Sequence, residues 1–468
     1  MNTSNQLPTE AHAAIYSISL IIIFKLVGNI FSGLPKLIGK EIYQSFIIFL
    51  TGLCIRDKNQ SANGFAKFFG IKSHDALTRM LTHKCWSASR LMLELLDQAI
   101  QLSTGLPTQS WLILDDVILP KHRSRNTEGV SWDWDYIERK HILCMRVVVL
   151  AWSNGIVCIP VAFAFYFKRN STYLRKYNKK FRTKNQLARA LVYHVLRRGL
   201  QFDYLLFDSW YANAKNFNLF DRLNIKFVTA LNCNRKLRLP FFPLKYKPKR
   251  KSKNDRWYEF TCSQWADQKP YVRDYHMYKK VGARARKQPV FLKNVNFLLK
   301  MVCIKNYANN KNFKEIHTTA DKRAKDPNKY LLTNDLNLTI PQIISLYRKR
   351  WTIEVMFRDC KQHFALGKCQ AHKSIEPHLR HTAMVFFAFA LVELIKSDGK
   401  SRQLFGKSCG HIINYLQNQQ LVHINSQYHV VDISRTYLDW NKINILSKVI
   451  DLNEISNRET QLVLNLKC

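Results

Sequence analysis

Tyr347, Arg350, Glu354 and Lys361 follow one another at intervals of three, four and seven residues within the stretch SLYRKRWTIEVMFRDCKQHF. Wound as one helix at about 100° per residue, with Tyr347 at zero, the other three fall at about 300°, 340° and 320°, so all four share a narrow stripe. Leu346, Ile353, Phe357 and Phe364 fall at about 240–280°, and an apolar packing face therefore runs along the charged one. A solvated surface helix sets its charges opposite its core face. A carboxylate and two cations at the edge of a buried face point instead to a site.

The acids elsewhere are few, 33 Asp and Glu against 73 Lys and Arg, so those at strand ends carry information. Asp115 and Asp116 close the apolar run WLILDD, and Asp208 closes DYLLFD. The crevice beside such strand ends is where open α/β sheets bind ligands. With Glu354 carried across the sheet by its helix, these carboxylates form a set able to hold hard divalent cations through oxygen. Two such ions about 3.5–4 Å apart activate a nucleophilic oxygen and stabilise the leaving oxygen of an in-line phosphodiester displacement. Taken singly, each acid has a plainer reading, Asp208 as a turn residue before SWYAN and Asp115 as a loop cap.

The elements that must position these residues read as a mixed α/β fold. Residues 1–105 are helical in pattern. Within them, SANGFAKFFGIKSHDALTRMLTHKCW has the outline of a helix-turn-helix, with helices over 62–69 and from Ser73, a turn at Gly70, and Lys72, His74, Arg79 and His83 available to DNA. A helical hairpin packed on its neighbour fits the same pattern. Residues 106–232 open a catalytic core: WLILDDVIL, ILCMRVVVLAW and IVCIPVAFAFYF form an antiparallel meander, followed by a basic helix over 184–198, the strand DYLLFD, a short helix over 214–223 and the strand IKFVTAL. Residues 233–334 read as a basic, β-rich insertion. Residues 335–375 carry the striped helix, and 376–468 are helical, then mixed.

Length and charge bound the partners. A chain of 468 residues with a formal charge of +40 repels itself unless a polyanion neutralises it, and nucleic acid is the expected polyanion. The tract KPKRKSK, with Lys247, Lys249, Arg250, Lys251 and Lys253, is the densest cationic run in the insertion. Eleven scattered cysteines fit reduced, buried thiols inside a cell rather than a disulfide framework. The apolar run AIYSISLIIIFKLVGNIFSGL is interrupted by Lys25 and follows no basic segment, so it is read as buried helix with no membrane role.

The four striped residues reproduce the signature Y-x2-R-x3-E-x6-K, and here the chain resembles a group of bacterial insertion-sequence transposases of the DDE superfamily. YLLTND and YRKRWTIEVMFRDCK are also similar to that group, and the likeness runs from about Trp111 to His372, interrupted by the insertion. The resemblance implies a ribonuclease-H-like core with an insertion before the Glu-bearing helix, which agrees with the helical N-terminal domain, mixed core and β-rich insertion read from the pattern. It also implies metal-dependent strand cleavage and strand transfer at transposon ends, with Mg²⁺ or Mn²⁺, two per site. Its metal ligands and catalytic residues carry over to Asp116, with Asp115 as the alternative, Asp208 and Glu354. Asp116 is preferred because the group commonly has an acid directly before its catalytic Asp; Val117 departs from the usual Thr that follows. Arg350 and Lys361 become contacts to terminal phosphates, and Tyr347 either donates to a phosphate or packs. Partners implied are double-stranded DNA, both terminal inverted repeats and target, and a second copy of the chain on DNA, in the bacterial cytoplasm at the nucleoid.

Rival motifs are weaker. Cys360, His363, Cys369 and His372 have metal-like spacing, yet the first two project in different directions and the second pair lies beyond Gly367. GKSCG lacks the earlier glycine of a phosphate-binding loop. Trp132 and Trp134 with Asp133, Asp135 and Glu138 read as a solvated acidic turn. Two other functions use the same residues: a DNA-binding regulator that has lost chemistry, and a nuclease that cuts without joining.

Overall fold

The computed structural model describes residues 30–55, 59–105, 109–122, 124–135, 138–239, 258–267, 276–278, 283–307, 326–370 and 372–397, with positions 23, 27, 28 and 410. In chain order the main elements are α1 (Lys40–Ile55), α2 (Ala62–Phe69), α3 (His74–Thr82), α4 (Ala88–Gly105), β1 (Trp111–Pro120), β2 (Ser131–Asp135), β3 (Lys140–Ser153), β4 (Cys158–Tyr166), α5 (Lys184–Arg197), β5 (Tyr204–Phe207), α6 (Ala214–Arg222), β6 (Phe227–Leu231), β7 (Lys236–Leu239), β8 (Tyr258–Thr261), β9 (His276–Tyr278), β10 (Ala283–Val290), β11 (Leu299–Ile304), β12 (Lys329–Thr333), α7 (Ile340–Lys349), α8 (Trp351–His363) and α9 (Ile375–Ser397). They divide into two compact units, one of Met1–Gln98, Ser124–Glu128 and Met356–Cys468, the other of Ala99–Arg123 and Gly129–Val355.

In the first unit α2 and α3 form the hairpin read from the sequence. Ser61 and Ser73 cap them, their hydroxyls accepting from Gly64 N at 3.1 Å and Ala76 N at 3.2 Å, and Gly70 turns the chain at a φ of +67°. Phe65, Phe69, Leu77, Met80 and Leu81 are buried, while His74 and Arg79 are exposed. Arg380 of α9 donates to Leu81 O at 2.9 Å and Trp86 O at 3.1 Å, which places a cation on carbonyls at the end of α3. Among the described residues one helix, Ile375–Ile395, is long and apolar enough to cross a bilayer, yet 89% of that window is buried inside the protein. It behaves as a core helix.

The second unit is built on a mixed sheet in the order β2-β3-β1-β5-β6-β12-β11-β10-β9, with β4 also on β3. β1, β5 and β6 are parallel, and β1, β3 and β4 form the antiparallel meander. β5 and β6 are buried at every position, which is why they read as unbroken apolar runs rather than alternating ones. The order β4-β3-β1-β5-β6 fits a ribonuclease-H-like core.

Four local readings change. SWDWD is strand β2, paired antiparallel with the start of β3, not a free acidic turn. β1 does not end at Asp116: its antiparallel partner β3 carries it on to Pro120. Within 233–334, β10 and β11 continue the core sheet through β12, because β12 pairs antiparallel with β6. The single striped helix is two, α7 and α8, meeting at Arg350, where Arg350 N bonds Tyr347 O at 3.1 Å in a tightened turn. The tract holding Lys247, Lys249, Arg250, Lys251 and Lys253, GKSCG up to Cys409, and most of the apolar run at 14–34 lie outside the described residues.

Candidate active site

β1 and β5 run parallel with Leu114 opposite Phe207, the last pair of that ladder. Asp115 and Asp208 are the next residues on each strand. They occupy equivalent places on neighbouring strands, side by side, where β5 stops and the edge of β1 opens. Beneath Asp208, Phe207 is fully buried, its ring 5.6 Å from Phe220 and 5.7 Å from Phe227. Asp208 Oδ1 accepts from Trp210 N at 3.0 Å, and its carbonyl accepts from the Thr229 hydroxyl at 3.2 Å, so both sides of the turn are held.

Arg350 ties the helix junction to this strand end. Its Nη1 donates to Asp115 Oδ2 at 3.1 Å and its Nη2 to Glu354 Oε1, while its Nε is buried without an acceptor among the described residues. Burial pushes the Asp115 carboxyl well above its ordinary range, the Asp208, Asp116 and Glu354 charges push the same way, and Arg350 opposes them. Burial likewise raises Asp208, with Arg350 and Lys184 opposing. Three carboxylates are thus gathered into one electrostatic cluster around a single guanidinium.

Asp116 has a different environment, since successive residues on a strand point to opposite faces. Its Oδ2 accepts from Arg146 Nη1 at 2.6 Å, and its Oδ1 accepts from Lys184 Nζ at 2.9 Å and the Tyr211 hydroxyl at 2.9 Å. Burial alone would raise this carboxyl, but Lys184 and Arg146 outweigh it and hold Asp116 below its ordinary range. Arg146 is in turn fixed by Asp133 of β2, Nε to Oδ2 at 2.8 Å. Lys184 is set at the start of α5 by a capping box in which Thr183 N donates to Gln186 Oε1 at 2.8 Å and Gln186 N to Thr183 Oγ1 at 3.2 Å. The preference for Asp116 as a ligand therefore meets a carboxylate whose two oxygens are already engaged.

The other residues singled out by spacing fall as follows. Tyr347 is buried, its ring 5.6 Å from the Arg350 guanidinium, in a packing position. Lys361 lies on α8 seven residues past Glu354. Cys360 and Cys369 are buried, and His372 Nδ1 bonds the Ser374 hydroxyl at 2.8 Å. Sequence reasoning passed over Arg146, Lys184, Trp210 and Tyr211. The run DSWYAN directly after Asp208 held a signal for the last two, whereas nothing local marks Arg146 or Lys184. Trp210 is 56% exposed, with Lys184 Nζ 4.0 Å from its ring centroid.

Among the described residues no three acidic, histidine or cysteine side chains already stand as a metal-ligand group. The fit to a divalent cation is one of donor chemistry: Asp115, Asp208 and Glu354 are oxygen donors whose mutual repulsion a cation would relieve.

Residues 43–279 match the family described as DDE superfamily endonuclease, and residues 179–384 match the family described as Transposase DDE domain. The chain is also similar to the protein named Probable transposase for insertion sequence element IS701, from Microchaete diplosiphon, with 27% identity over 191 residues, or 39% of this chain and 47% of that protein. It thus spans about half the length of that curated relative. Asp115 and Asp208 lie inside the first match, Asp208 and Glu354 inside the second. Since the first match takes in slightly more than half of the residues and the sheet has the mixed order such a core requires, the chain belongs to the DDE superfamily of endonucleases.

Proposed function

We propose that the protein is a transposase that cuts and rejoins DNA phosphodiesters at the ends of an insertion sequence. The observation that carries this is the cluster of Asp115, Asp208 and Glu354 around Arg350, where β5 ends and leaves the edge of its parallel neighbour β1 open. Asp115, Asp208 and Glu354 would hold Mg²⁺ or Mn²⁺, which when bound supplies a nucleophilic oxygen near neutral pH and neutralises charge on the leaving oxygen. Arg350 positions Asp115 and Glu354 relative to one another, and its unpaired Nε is a donor for a phosphate oxygen. Asp116 serves here as a positioning residue that anchors Lys184 and Tyr211, not as a ligand. The exposed Trp210 offers a ring face to a nucleotide beside the cut. A homodimer on DNA, terminal repeats and target as the DNA partners, Lys361 as a phosphate contact and a cytoplasmic, nucleoid-bound location belong to the same proposal.

The test is cleavage of DNA carrying the flanks of the element, followed by joining to a plasmid target, with and without Mg²⁺ or Mn²⁺. Asp115→Asn, Asp208→Ala and Glu354→Ala should abolish cleavage while DNA binding persists, and Asp116→Asn should be impaired but active. Cleavage by Asp208→Ala, or in excess chelator, would refute the assignment. Cutting without joining would make the protein a nuclease, and binding without cutting a regulator.

A further inference from the structure

A cavity of about 500 Å³ opens in the second unit between the starts of α5 and α6. Arg169, Arg189 and Lys215 line it together with Thr183, Asn185 and Asn213, and no carboxylate does. Three cations facing one polar cavity without an acid leave positive charge uncompensated, which an anion would neutralise. Arg189 is the most telling of them. It is partly buried, donates from Nη1 to Asn216 Oδ1 at 2.7 Å, and has no carboxylate partner among the described residues. Burial lowers its guanidinium, with no anionic group offsetting the cost.

The surroundings prepare donors rather than acceptors. Asn185 Oδ1 is used twice, by Asn213 Nδ2 and Asn216 Nδ2, each at 2.8 Å, which leaves the Asn185 amide nitrogen to donate. Arg169 is steadied on the rim with its guanidinium 4.9 Å above the Phe181 ring. Thr183 and Asn213 are the caps of two helices whose positive ends open here. Location gives the cavity a purpose. Asn185 follows Lys184, and Asn213 stands two residues after Tyr211, the two side chains that hold Asp116 beside the carboxylate cluster.

We propose that this cavity seats a backbone phosphate of bound DNA and so fixes the strand beside the catalytic carboxylates. The inference rests on the transposase reading and adds a contact outside the Tyr347, Arg350 and Lys361 set. The chemistry is that of a phosphodiester: cationic and amide donors and no charged acceptor.

The probe is a fluorescein-labelled duplex, titrated with the full chain over a range of salt, alongside nicking of supercoiled plasmid in Mn²⁺. Arg189→Gln combined with Arg169→Ala and Lys215→Ala should weaken binding about tenfold or more, as loss of a charged hydrogen-bonded contact does. The salt slope should flatten by about 0.9, the value of one phosphate. The DNA concentration for half-maximal nicking should rise while the Mn²⁺ dependence stays put. Arg197→Gln combined with Arg198→Gln and Arg222→Gln, at the far ends of α5 and α6, removes the same three charges and controls for net charge. Affinity and slope equal to that control would overturn the proposal. Arg169→Ala with Lys215→Ala, both at exposed positions, supplies the same reading if the triple variant fails to fold. Inorganic phosphate that raises the melting temperature of the wild type but not of the variant, with DNA affinity unchanged, would mean a free anion and would also overturn it. A wild type that neither binds nor nicks DNA brings down the transposase reading itself; one that does both, with an indifferent cavity, removes only the phosphate seat.

Discussion

Asp115, Asp116 and Asp208 are one residue type in different environments, and the environment sets the direction in which each carboxyl is shifted. The folded pKa of Asp116 is depressed, so its ion pairs stabilise the protein above the ordinary carboxyl pKa of about 3.9 and that contribution is lost as pH falls through the lower folded value. The folded pKa of Asp208 is raised, so its ionisation destabilises the metal-free fold, not at all below the ordinary value and fully once pH exceeds the raised one. Neighbouring acids therefore have opposite effects. Asp116→Asn should cost about 3–5 kcal/mol at neutral pH by leaving Lys184 and Arg146 short of a buried partner, with the deficit vanishing in acid. Asp208→Asn should raise the metal-free melting temperature at neutral pH. Melting curves of both variants from acid to neutral pH check the pair, and a destabilised Asp208→Asn would contradict the crowding of charge argued for the site.

At the scale of elements, two features aim the chemistry. The end of β5 exposes the edge of β1, and the α7–α8 junction delivers Arg350 and Glu354. Phe207 sets the first: its replacement by Ala opens a cavity against Phe217, Phe220 and Phe227 and should cost about 3–5 kcal/mol. Cleavage should fall more than folding does, measured at a temperature where the variant is still folded, because Asp208 is the next residue. Arg350→Lys tests the second. One ammonium lacks the planar fork that spans Asp115 and Glu354. Cleavage should drop about a hundredfold, the scale of a displacement of about 1 Å, while far-ultraviolet circular dichroism is unchanged. Wild-type turnover in Arg350→Lys would show that charge alone suffices.

For the whole molecule the dominant fact is a charge of +40. Such a chain should bind DNA with strong salt dependence and little sequence preference from its cationic tracts. Replacing Lys247, Lys249, Arg250, Lys251 and Lys253 by Gln should lower affinity for specific and random duplexes alike and flatten the salt slope by up to about 0.9 for each phosphate lost. An unchanged slope in a fluorescence titration would mean that the tract is merely solvated.

Much of the architecture was legible in one dimension because it is local. Fully buried strands announce themselves as unbroken apolar runs, and caps such as Ser73 and Thr183 stand beside the helices they start. The spacing of Arg350 and Glu354 places them one turn apart whatever surrounds them. The sequence by itself thus determined which residue types are available for phosphodiester chemistry and on which elements they ride. It could not choose between Asp115 and Asp116. That choice depends on which face of β1 meets Arg350 and which meets Lys184 and Arg146, groups 235, 68 and 30 residues away in the chain. Nor could it show that Asp208 comes to lie beside Asp115 where β5 stops, or that α5 and α6 begin around one basic cavity. Registers and pairings between distant segments are settled by packing of the whole sheet, and only the tertiary structure contains that.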